Sequence, residues 1–217
     1  MTSRTSIFDR NRRIFAAAVA LSLLPVTACT GGGATPGATA APESSSPAVS
    51  PAQTATPTPT ASYKPADATG RAQNVPVPVL PEAAKAETKE GLEAFARYWF
   101  SQLNFAYETG NSSGFESVTS PGCEFCSNIT SSLAANYAGD RWLAGGHIET
   151  PSISTTFEAE ASGQHQVIVQ VQQAKISYFE PGGTEFREPT QPSDTGNVML
   201  VTFKSGAWQL VGLHPIR

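Results

Sequence analysis

The apolar residues of this chain change their spacing partway along, and that change limits the folds open to it. Between positions 92 and 137 they recur at intervals of three and four; between 153 and 214 they alternate in steps of two. The first period is that of a helix with one buried face, and the second that of a strand with one buried face. A chain that runs helices first and strands afterwards reads as α+β, with the helices segregated against an antiparallel sheet.

The helical part divides at its glycines and prolines. Pro81 is the expected start of a long helix, because proline suits the first turn. Leu92, Phe95, Trp99, Leu103 and Ala106 form its apolar stripe, Phe100 and Tyr107 widen it, and Gly110 stands where a left-handed C-terminal residue is expected. Gly91 costs about 1 kcal/mol relative to alanine inside a helix, so close packing or a bend is expected there. A short second helix opens on Ser113-Gly-Phe-Glu116, which has capping-box spacing, and ends at Pro121. The third covers about 124–138, with Ile129, Leu133 and Tyr137 inward and Gly139 as its stop.

In the second part Ile153, Thr155 and Phe157 are expected to alternate on a first long strand, and Val167, Val169 and Val171 on a second. The parity then flips to Ala174, Ile176 and Tyr178, which implies a β-bulge near Gln172-Gln173 and a bent sheet. Loops at Pro181-Gly-Gly and QPSDTG precede strands at 198–204 and 207–214, joined by a Ser205-Gly206 hairpin turn. The architecture expected is three N-terminal helices packed on a strongly curved antiparallel sheet, cone-like in shape.

The first 28 residues have a different purpose. Arg4, Arg10, Arg12 and Arg13 precede an apolar run at 14–26, followed by the small residues Thr27 and Ala28 and then Cys29. This is the layout of a secretory signal. The run is shorter than the about 20 residues that span a hydrocarbon core. With cysteine directly after the small residues, VTAC resembles the lipobox of bacterial lipoproteins. That resemblance implies cleavage before Cys29, acylation of its sulfur, and a membrane anchor on the extracytoplasmic face. Residues 29–78, rich in Thr, Ala, Pro, Ser and Gly, lack bulky apolar side chains almost throughout and are expected to be a disordered tether. The single folded domain is expected at 79–217.

Cleavage would remove four of the fourteen basic and one of the eighteen acidic residues, leaving ten against seventeen and a net charge of −7. Such a balance disfavours nucleic acid as a partner. Cys29 set aside, Cys123 and Cys126 remain and are expected to pair in an oxidising compartment.

The element order and curved sheet resemble the nuclear-transport-factor-2-like cone fold, also called SnoaL-like, where helices pack in the concavity of a bent sheet and leave a pocket. Three stretches resemble a family of actinobacterial lipoproteins with an uncharacterised domain: AFARYWFSQLNFAYETGN at 94–111, SPGCEFC at 120–126 and AGGHI at 144–148. That resemblance implies an address and a fold, and no activity. The residues expected to line a pocket are Phe95, Tyr98, Trp99, Tyr107 and Trp142. Enzymes of cone fold draw on acids, His or Tyr in an apolar pocket, where burial shifts pKa. Tyr98, Tyr107, His147, Glu158 and Glu160 are the candidates under that resemblance.

Three functions stay open on the sequence. The leading one is a non-catalytic module that holds a small apolar ligand or a cell-envelope protein. The second is an enzyme of the ketosteroid-isomerase or polyketide-cyclase type. The third is a thiol–disulfide redox protein using Cys123 and Cys126, a CxxC at a helix N-terminus. No nearby Lys or Arg favours a thiolate there, and Glu124 opposes one. A zinc site needs two more ligands, and His147, His165 and His214 form no ligand pair. No metal or cofactor is expected.

Overall fold

The computed structural model describes residues 61–216. The expected signal peptide, Cys29 and the part of the expected tether up to residue 60 lie outside the described residues. Among the described residues no helix is long and apolar enough to cross a membrane.

The long helix α1, Lys89–Thr109, starts later than Pro81 suggested. Glu82–Lys85 forms a separate 3-10 turn, and Thr88 then caps α1, its hydroxyl accepting from the Gly91 N–H at 3.0 Å. Gly91 explains the break. A Cβ there would lie 2.1 Å from the Ala86 carbonyl oxygen and 2.8 Å from that of Ala83, so the incoming chain can double back only against a glycine. At the other end Gly110 takes φ 77° and its N–H donates to the Ala106 carbonyl.

Helix α2 is Ser113–Ser117 and α3 is Glu124–Tyr137. The capping-box spacing at Ser113 is not used as expected. Asn111 Oδ1 instead accepts from the N–H and hydroxyl of Ser113, and the Ser112 hydroxyl donates to Glu116 at 2.6 Å. Gly139 stops α3 as expected, with φ 65°.

Eight strands follow: β1 Trp142–Gly145, β2 Ile148–Glu149, β3 Ile153–Ser154, β4 Gln164–Gln173, β5 Ile176–Glu180, β6 Thr184–Thr190, β7 Ser193–Lys204 and β8 Ala207–Pro215. They form two antiparallel sheets, one ordered β1-β5-β6 and one ordered β2-β4-β7-β8, with β3 also paired to β4. The α+β class and the helices-then-sheet order are those expected.

Two strand expectations change. The first long strand stops after Ser154, because Thr155 turns the chain. Its hydroxyl donates to the Gln166 carbonyl at 2.6 Å and accepts the Phe157 N–H at 3.0 Å, and Phe157 takes φ 62°. The bulge expected at Gln172-Gln173 is absent: β4 and β7 stay in unbroken register from Gln164↔Thr202 to Gln173↔Ser193. The parity flip marks the point where the chain leaves one sheet for the other. Register shifts occur instead around Tyr178 in β5 and between Leu200 and Val201 in β7.

One core joins the layers. Leu92, Phe95 and Trp99 of α1, Phe115, Leu133 of α3, and Val167, Val169, Met199, Val201 and Leu210 of the larger sheet are all less than 2% exposed. Each such side chain contributes about 1.5–3 kcal/mol relative to its exposed state.

Residues 61–78, expected in the tether, are laid against this domain. Lys64 and Gln73 exchange backbone hydrogen bonds at 3.0 and 2.8 Å. The Trp142 indole donates to the Asp67 carbonyl, Arg71 donates to the Arg141 carbonyl, and Tyr63 donates to Glu108. Polar and backbone groups hold the segment, so a search for bulky apolar residues overlooks it.

Candidate functional site

The second half of α1 from Phe100 onward, helix α3 and both sheets line two adjoining recesses that share Tyr107, Phe125, Ile129 and Gln173. One, of about 270 Å³, is walled by Phe100, Leu103, Ile148, Val171 and Leu213, with Ser193, Thr195, Asn197 and Pro215 also lining it. The other, of about 350 Å³, adds Leu133, Leu143, Ile176 and Tyr178, together with Asn128, Ser132, Asn136, Arg187 and Thr190. Together they fall in the range of about 300–1,000 Å³ typical of small-molecule sites.

Local chemistry fixes these walls. Asn104 on α1 clamps Ile148 through both backbone groups, at 2.9 and 2.8 Å. Tyr137 donates to the Tyr107 carbonyl at 2.6 Å, tying the end of α3 to that of α1. Burial pushes the Tyr137 hydroxyl up to a pKa of about 12. Burial also raises that of Tyr107, with the Gln173 amide working the other way, so both phenols are neutral donors at ordinary pH. Phe125, in the first turn of α3, is 45% exposed over both recesses. On β6, directly opposite Tyr178, Arg187 lays its guanidinium 4.2 Å above the Tyr178 ring and donates to Asn136 Oδ1 at 3.3 Å. No Asp, Glu or His is among the residues lining either recess.

Of the five residues expected to line a pocket, only Tyr107 is brought here. Trp99 is wholly buried, its ring 4.9 Å from Phe100 and 5.0 Å from Phe115, and its N–H donates to the Thr119 hydroxyl at 2.9 Å. Phe95 is 1% exposed beside it. Both are core residues, because the centre of the α1 stripe faces the larger sheet with no space left over. Tyr98 accepts from the Gln102 amide at 2.6 Å. Trp142 stacks on Phe179 and pins Asp67, so it covers the smaller sheet. His147 is exposed and borders an outer hollow with Glu149 and Asp194, and Glu158 and Glu160 sit exposed between β3 and β4.

Sequence reasoning missed Phe125, Asn136 and Arg187 as site residues, and read Ile129 only as core. Phe125 lies between the two cysteines, where the spacing drew attention to sulfur. Arg187 lies on a strand that carries Pro189 and alternates poorly.

Cys123 and Cys126 form the expected disulfide, and each is 3% exposed. It walls a third recess of about 360 Å³ with Phe115, Thr119, Pro121 and Thr130. That hollow is built from the single stretch 115–131, whereas the recesses beneath α3 gather groups from α1, α3 and both sheets. The latter arrangement is the stronger candidate site. Among the described residues no group of three or more His, Cys, Asp or Glu is placed to hold a metal ion.

The fold and recess define an α+β domain with helices against antiparallel sheets and a partly apolar hollow between them. Residues 61–214 match the model of a family of unknown function, DUF6318, and the chain belongs to that family. No curated protein matches the chain. Among solved structures, the intermembrane space region of the chloroplast protein ARC6 is similar at a TM-score of 0.45 and 10% identity, covering 59% of this chain and 96% of that one. Aln2 from a Streptomyces species is similar at 0.38 and 9% identity, over 58% and 90% of the two chains. An uncharacterised protein with a cystatin-like fold from Caulobacter vibrioides follows at 0.36 and 14% identity, over 56% and 87%. At these scores none of the three carries an argument about function.

Proposed function

We propose that the protein is an extracytoplasmic lipoprotein, anchored through Cys29, whose domain binds a small apolar ligand in the recess beneath α3 without transforming it. The observation that supports ligand binding is the convergence of Tyr107, Phe125, Ile129, Val171 and Leu213 from separate elements on one hollow, with Phe125 left 45% exposed. An aromatic side chain exposed over an apolar hollow gains burial when that hollow is filled. The lining also supports binding over isomerase-like catalysis, since it offers no carboxylate or imidazole to serve as a general base.

The test uses Nile red, a neutral apolar dye, titrated into the full chain. Saturable fluorescence enhancement is expected, weakened about tenfold in Phe125→Ala, consistent with the loss of about 1.5 kcal/mol or more of apolar burial. Unsaturable or variant-independent enhancement would remove the binding reading. The anchor is tested separately by metabolic labelling with a radioactive fatty acid, where Cys29→Ser should abolish incorporation.

A further inference from the structure

The two halves of the recess are chemically unlike, and the difference points to a ligand class. This inference rests on the ligand-binding reading above. Around Leu103, Val171 and Leu213 the walls are mainly apolar, with Ser193, Thr195 and Asn197 the uncharged polar groups among them. Around Asn128, Ser132, Asn136 and Thr190 they are polar, and the one charged residue lining them is Arg187.

Arg187 is under-used by the protein itself. The ion pairs among the described residues are Lys64–Asp67, Arg71–Asp140 and Lys85–Glu82, and none involves Arg187. Its one side-chain hydrogen bond among the described residues goes to Asn136 Oδ1, while a guanidinium carries several further N–H donors in a planar fork. The Tyr178 ring lies beneath it, 4.2 Å from the guanidinium carbon, and holds the cation over its face. Asn136 holds it from the side and is itself held, its amide donating to Ser132. A cation oriented this way, bordering a hollow with no carboxylate in its lining, is complementary to an anion from outside.

We propose that the recess takes a small amphiphile with a single carboxylate, the carboxylate on Arg187 and the hydrocarbon body along Tyr107, Phe125, Ile129 and Leu213. A planar fork matches a carboxylate through two parallel hydrogen bonds. One guanidinium balances one negative charge, and a ligand of higher charge would leave the excess against apolar walls, at a cost. The neutral Tyr107 hydroxyl is a donor on the wall shared by both halves. Arg187 is exposed, so solvent screens the pair and the preference it confers is moderate.

The test is isothermal titration calorimetry of the full chain with decanoate and with decan-1-ol, at low ionic strength. Decanoate should bind about tenfold more tightly than the alcohol, the low end of what a hydrogen bond to a charged group supplies. In Arg187→Gln the ratio should fall to about twofold with decan-1-ol unaffected, and Arg187→Lys, which keeps the charge and loses the fork, should lie between. Melting curves of both variants report whether the fold is kept, and if one variant fails to fold the other carries the comparison. Equal affinity for acid and alcohol, or a preference that survives Arg187→Gln, overturns the carboxylate assignment and leaves an apolar site standing. Binding of neither ligand overturns this inference and the ligand-binding reading together.

Discussion

Trp99 and Tyr107 stand roughly two turns apart on one helix, and their surroundings are opposite. Trp99 is wholly buried: Phe100 and Phe115 pack against its ring, and its lone donor is satisfied by the Thr119 hydroxyl. At Tyr107 the helix reaches the edge of the larger sheet, the next layer is α3 with an exposed Phe125, and hollows of about 270 and 350 Å³ remain. The same stripe therefore serves as core at one end and as site at the other. What distinguishes the ends is whether a neighbouring element arrives to fill the space, which the stripe itself does not encode.

Substitutions at the two ends should separate stability from binding. Trp99→Ala should have the largest effect on stability, a loss of about 3–5 kcal/mol measured by urea denaturation, because the cavity it leaves has no route to collapse. A loss under about 1 kcal/mol would mean that the closed end is not closed. Next is the double change Cys123→Ala with Cys126→Ala. It should cost about 2 kcal/mol by chain-entropy reasoning for so short a loop, and leave Nile red binding within about twofold. If binding disappears while the fold survives, the disulfide shapes the site more than its place in a separate hollow implies.

Tyr137→Phe should cost about 1 kcal/mol at neutral pH for the lost bond to the Tyr107 carbonyl. It also has a pH signature. The folded pKa of about 12 lies above the ordinary value of 10, so this contribution is fully present below pH 10 and is lost as pH rises through about 12. Tyr107 is shifted in the same direction, so the variant should flatten the alkaline fall in stability without abolishing it. An unchanged profile from pH 9 to 12 would contradict the burial of Tyr137. Phe125→Ala should change stability least, within about 0.5 kcal/mol as for an exposed position, while reducing apolar ligand binding about tenfold.

The sequence made the class and most of the helical layer legible, since the stripe from Leu92 to Ala106, the stops at Gly110 and Gly139 and the cysteine pair are local patterns with local causes. The sheet was harder to read where strands are short or at an edge. Strands β1 and β2 have four and two residues, too few for a period to register. Strand β6 is an edge strand, the place where Pro189 is tolerated, and its mostly exposed side chains give no alternation. The flip after Val171 was visible, but a bulge and a change of sheet leave the same mark in a sequence. The site was the least legible part. Arg187 and Phe125 line one recess with Tyr107 only because β6 pairs with β5 and α3 lies across the sheets, and neither placement follows from spacing.

The most direct test of the central claim, that the mouth beneath α3 holds a small molecule, is native mass spectrometry of the full chain purified without harsh detergent. A reproducible extra mass is expected, present in the unaltered protein and in Trp99→Phe, and lost or sharply reduced in Phe125→Ala. A clean mass in the unaltered protein that also stays clean after incubation with decanoate and with decan-1-ol would contradict it, and would leave the recess as packing between α3 and the sheets.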